Sequence, residues 1–72
     1  MKNILLYNML LSSAEADKAK AKLTLDLLGN YPAGIGDHSG KDFYQNAEEA
    51  LQLLVDAEDR IKTLKKHYND SF

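Results

Sequence analysis

The chain has 72 residues, a formal net charge of −2 and no cysteine. A single core of this size supplies at most ~3–5 kcal/mol without disulfides, metal or oligomerisation, and the lack of cysteine removes disulfides and thiolate zinc sites. A pI near 5.5 argues against the basic face that nucleic-acid binding needs, which leaves self-association as the remaining aid to stability.

The first predicted element is a helix over about residues 3–28. Its apolar start, Ile4 to Leu11, follows Lys2 in the manner of a signal peptide. It is short, however, is broken by Asn8 and runs into Ser12-Ser13-Ala14-Glu15-Ala16-Asp17. An apolar run of ~10–14 residues or fewer is core rather than a membrane span, so no membrane contact is expected and the chain is placed in the cytoplasm. Ser12-Ser13-Ala14-Glu15 also fits a capping box that would start a second helix. One continuous helix is the preferred reading, because the heptad phase runs through Ser12.

Two apolar stripes share this helix. Leu5, Met9, Ser12, Ala16, Ala19, Leu23 and Leu27 form one, and Leu6, Leu10, Ala14, Ala21, Leu25 and Leu28 the other. Two stripes call for two packing partners, of which the following helix supplies one and a second molecule the other.

All four glycines and the single proline fall between Gly29 and Gly40, so a connector is predicted over about residues 29–41. Gly29 or Asn30 is expected to take the left-handed position that ends the first helix, with Pro32 following. Gly34 to Asp42 looks like a phosphate cradle but fails the template: Ile35 stands where the first glycine belongs, Asp42 replaces the hydroxyl, and no strand precedes it. Asp37, His38 and Asp42 form an oxygen-and-imidazole set that a divalent ion could use. With one imidazole in reach, loop and helix capping by Asp37 and Ser39 is the better account. A connector of this length exceeds the ~2–8 residues usual in bundles, and Tyr31, Ile35, Asp37 and His38 are its candidate binding residues.

The second helix is predicted over about residues 42–68. Phe43, Ala47, Ala50, Leu54, Ala57, Ile61, Leu64 and Tyr68 alternate at spacings of four and three, which is the a/d seam of a coiled coil. Asp42, Glu48 and Glu49 at the start and Lys62, Lys65, Lys66 and His67 at the end complement the helix dipole. Asp56 with Arg60 and Glu58 with Lys62 form i,i+4 pairs, and Asp42 or Ser39 is the expected N-cap. Leu51, Leu53 and Val55 lie off the seam and would be exposed if it packed against a single neighbouring helix, so they widen the apolar face enough to call for a second partner.

The fold expected is all-α: an antiparallel hairpin whose small residues Ala14, Ala16, Ala19, Ala21, Ala47, Ala50 and Ala57 allow close approach of the helices. Two hairpins dimerise into a four-helix bundle. Leu23, Leu27, Leu51, Leu54, Ile61 and Leu64 are the expected core and dimer residues.

Glu48-Glu49 with Asp56, Glu58 and Asp59 invites comparison with the all-α nucleotide pyrophosphohydrolases, which hold magnesium on Glu-Glu-x-x-Glu followed by Glu-x-x-Asp. Gln52 stands in place of the third acid and the later element reads Asp56-Ala57-Glu58-Asp59, so the match is partial. The charges also follow the ordinary pattern of a solvated face.

Leu27 to His38, with its Gly34-Ile35-Gly36-Asp37-His38 core, followed by Ala57-Glu58-Asp59-Arg60-Ile61 and Leu64, resembles small uncharacterised proteins of tailed bacteriophages. Those also join two helices through a Gly-Ile-Gly-acid-His loop. The resemblance implies a phage or prophage accessory protein and carries no catalytic residues. The expected function is a non-enzymatic interaction or assembly module, a homodimer with a further protein partner and no cofactor. The alternative is a metal- or nucleotide-dependent activity in the connector or the acidic cluster.

Overall fold

The computed structural model describes residues 4–30 and 40–68. Two helices make up the fold, α1 over Ile4–Asn30 and α2 over Gly40–His67, and no strand occurs among the described residues. The first half is one helix, uninterrupted at Ser12 and Ser13. Serine is tolerated inside a helix, and the apolar seam passes through that turn without a change of phase.

The helices pack side by side along their length, and burial recurs every seven residues on both. Tyr7, Ala14, Ala21 and Leu28 are the buried residues of α1, and Ala50, Ala57 and Leu64 those of α2, with Phe43 half-buried one heptad before Ala50. Contacts climb one helix as they descend the other: Leu10 and Ser13 lie with Arg60 and Leu64, Asp17 meets Arg60, and Ala21 and Leu28 lie with Asn46 and Ala50. The hairpin is therefore antiparallel, with Ala14 level with Ala57 and Ala21 level with Ala50. Ala14 and Ala57 are both 0% exposed, so the helices touch through methyl groups at mid-length and through Tyr7, Leu64, Leu28 and Phe43 towards the ends.

The seam expected on α2 is the one used: Ala47, Leu54 and Ile61 are half-buried beside the three buried positions, and only Tyr68, at the helix end, is exposed. Leu51 and Val55 are exposed as expected, but Leu53 is half-buried, because it stands three residues after Ala50 and borders the contact with α1. On α1 the outcome differs from the expectation. Ala16 and Ala19 do not help the helices approach; both face outward with the rest of their stripe. The face used is the second stripe, centred on Ala14, Ala21 and Leu28, and Tyr7 joins it although neither expected stripe contained it. Heptad spacing from Ala14 back to Tyr7 and from Ala57 on to Leu64 brings those two buried residues level with each other.

Both helix boundaries at the connector also shift. α1 continues through Gly29 and Asn30, so neither serves as the left-handed stop. Gly29 remains helical, held by the buried Leu28 beside it, and a Cβ built there meets nothing within 4 Å. Gly29→Ala is accordingly expected to stabilise the fold by about 0.5–1 kcal/mol by restricting the unfolded chain, read as a higher urea midpoint. α2 begins at Gly40, which puts Asp42 inside its first turn rather than at the N-cap. There its charge still favours the positive end of the helix dipole, matched by Lys65, Lys66 and His67 in the last turn. Ser39, the other cap candidate, lies outside the described residues.

The hairpin is long and thin. Its radius of gyration is 16.0 Å, against about 11 Å for a compact domain of this length. Among the described residues no helix is long and apolar enough to cross a membrane.

Candidate functional site

Tyr31, Ile35, Asp37 and His38, the binding residues expected in the connector, lie outside the described residues, as does all of the metal candidate set except Asp42. Candidate surfaces are therefore those of the two helices. Of the six expected core and dimer residues, Leu64 is buried within the hairpin, Leu54 and Ile61 are half-buried along the seam, and Leu23, Leu27 and Leu51 are exposed.

One flank of the hairpin carries a polar clamp that sequence reasoning missed. Arg60 Nη2 donates to Asp17 Oδ2 across the helix pair at 2.7 Å, and Arg60 Nε donates to Asp56 Oδ2 one turn back at 3.1 Å. The Asp56 contact is the i,i+4 pair expected from spacing, whereas Asp17 is 43 residues away from Arg60 and nothing local points to it. The hydrogen bond to Asp17 raises the Arg60 pKa, opposed by desolvation and assisted by the charges of Asp56 and Asp17. A raised folded-state pKa gives stability that is present below the unfolded value and lost only as pH climbs past the folded one, so the Arg60 contribution persists through the whole neutral range. Both side chains remain more than a third exposed, so ions screen the pair. Arg60→Gln is expected to lower the thermal midpoint in low salt, with the difference from wild type shrinking as sodium chloride is raised. A deficit that ignores salt would show that the loss is one of packing.

The clamp separates two shallow grooves on this flank. The one towards the connector, about 420 Å³, has a floor of Ala21, Leu28, Ala50 and Leu53 beneath Lys20, Thr24, Asn46 and Glu49. Thr24 spends its hydroxyl proton on the Lys20 carbonyl of its own helix at 2.9 Å, which leaves Lys20, Asn46 and Glu49 as the polar rim. The other groove, about 300 Å³, lies between Leu10, Ser13, Asp59, Arg60, Thr63 and Leu64. Both are open to solvent along the hairpin axis.

The acids of α2 do not converge. Glu48, Glu49, Asp56, Glu58 and Asp59 are all exposed, Asp56 is engaged by Arg60, and no three acidic or histidine side chains among the described residues stand where they could share a metal ion. Most apolar exposure is instead on α1. Leu5, Met9, Leu23 and Leu27 are 81%, 61%, 61% and 51% exposed, the first three nearly half a turn from the seam and Leu27 on its flank.

Neither a protein-family model, a curated protein nor a solved structure matches the chain.

Proposed function

We propose that the protein is a non-enzymatic interaction or assembly module, a homodimeric helical hairpin acting as a phage or prophage accessory protein in the bacterial cytoplasm. The connector and the adjoining helix ends are the surface offered to a further protein partner. The observation that carries this reading is unspent apolar surface. Leu5, Met9, Leu23 and Leu27 on α1 and Tyr44 and Leu51 on α2 are each more than half exposed, more large apolar side chains than a closed two-helix fold leaves in water. Tyr44 and Leu27, both exposed, flank the connector on opposite helices and extend the recognition surface beyond it.

Sedimentation equilibrium at micromolar concentration tests the homodimer, and a folded monomer there would refute it. For the partner surface, the tagged chain is recovered from its host with and without the double substitution Ile35→Ala/Tyr44→Ala. Loss of a co-purifying protein, with helical content and dimer retained, is the expected result. An unchanged set of co-purifying proteins would move the recognition surface elsewhere.

A further inference from the structure

We infer that the end of the hairpin away from the connector docks on an anionic lipid surface, with the first turns of α1 in the headgroup layer and the lysines of α2 on its phosphates. This goes beyond the interaction reading above and does not depend on it, and it leaves the connector end free to face a protein partner.

An apolar run of the length of Ile4 to Leu11 is too short to span a bilayer and is otherwise core or interfacial. Core burial accounts for only part of this one. Leu6, Tyr7 and Leu11 are buried or half-buried, whereas Ile4, Leu5 and Met9 are each more than half exposed and Leu10 is exposed beside them. The core argument against membrane contact therefore does not cover these side chains. Neighbouring charge says what they meet. Among the described residues, 4–14 carry no charge, and 61–68 carry Lys62, Lys65, Lys66 and His67 without an acid. Lys2 and Asp70, outside the described residues, add no net charge. With Ala14 level with Ala57, Met9 stands level with Lys62 and Leu5 with Lys66.

Exposed apolar side chains set among charges of one sign match a surface that is anionic outside and apolar beneath, which is a lipid headgroup layer. Nucleic acid would satisfy the lysines but leave the leucines without a partner. The layering of the two groups agrees. Cα–Cβ bonds tilt toward the N-terminus of their own helix. In an antiparallel pair the side chains of α1 therefore lean toward this free end and those of α2 lean back from it. Leu5 and Met9 accordingly reach ahead of the ammonium groups of Lys62 and Lys66. Ile4 to Leu11 rises about 10 Å, within the ~5–10 Å to which interfacial helices bury their apolar side chains. Tyr68, exposed at the end of α2, supplies the amphipathic ring favoured at that boundary.

Co-sedimentation of the full chain with lipid vesicles tests the proposal. Vesicles of phosphatidylglycerol mixed with phosphatidylethanolamine should retain the protein at low salt and release it as sodium chloride is raised, and vesicles of phosphatidylcholine should not retain it. A lysine near an anionic surface is worth about a fivefold change in partitioning, so Lys62→Gln/Lys65→Gln/Lys66→Gln should weaken retention about a hundredfold. Leu5→Gln/Met9→Gln should also weaken it, with helical circular dichroism unchanged because both sites are exposed. Leu23→Gln/Leu27→Gln, in the connector half of the same helix, should bind as wild type does. Retention that survives either the lysine or the Leu5/Met9 set, or that Leu23→Gln/Leu27→Gln abolishes, overturns the site. Equal retention on phosphatidylcholine overturns the part given to the lysines. A folded wild type that ignores the anionic vesicles overturns the proposal as a whole and leaves this end of the hairpin to an acidic protein surface.

Discussion

Leu64→Ala is expected to lower stability by about 2–4 kcal/mol, most of the ~3–5 kcal/mol that a core of this size provides. Leu64 is the only leucine of α2 that is buried, and it closes the end of the hairpin where Tyr7 comes level with it. Truncation removes its own burial and uncovers the apolar surface it covers at that end of the hairpin. The effect should rank with burial, so that Leu54→Ala, at a half-buried seam position, costs less than Leu64→Ala. Leu51→Ala, at an exposed site, should fall within ~0.5 kcal/mol of wild type. Urea titrations followed by far-ultraviolet circular dichroism give the comparison, at one protein concentration, because an associating chain has a concentration-dependent midpoint. Equal losses at Leu64 and Leu51 would place the core on a different face of α2.

Ala57→Leu is the second large effect, about 1–3 kcal/mol, and it comes from too much volume rather than too little. Ala57 and Ala14 are both fully covered and stand level on facing helices, so the interaxial distance at mid-length is set by methyl groups. Three added carbons must push the backbones apart. That separation would weaken the Asp17–Arg60 contact, which lies next along the hairpin. A graded series, Ala57→Ser, Ala57→Val and Ala57→Leu, should lose stability in order of volume. The same leucine at Ala19, which is exposed on the outer face of α1, should spare the contact between α1 and α2. Thermal melts read the series, and a leucine at Ala57 that melts with wild type would show that the helices do not meet there.

Arg60 illustrates where reading along the chain stops. Its pairing with Asp56 follows from the four-residue spacing on one helix. Its shorter contact, to Asp17, depends on the relative height of two helices joined by a connector, and no local energy term encodes that. Gly29 shows a different limit. Glycine permits a left-handed stop but does not compel one, and the helix runs on through Gly29 and Asn30 past the buried Leu28.

Breakers and periodicity are local, and they sufficed for two helices and the seam of α2, whose apolar residues leave one face to choose. On α1 they left two stripes half a turn apart, each at heptad spacing and each a plausible contact for α2. Only the tertiary structure decided between them. The stripe chosen is the one whose sizes match α2 level by level, Ala14 to Ala57 and Ala21 to Ala50, with Tyr7 and Leu28 filling the wider ends. Such matching is a property of both helices together, so neither periodicity alone could supply it.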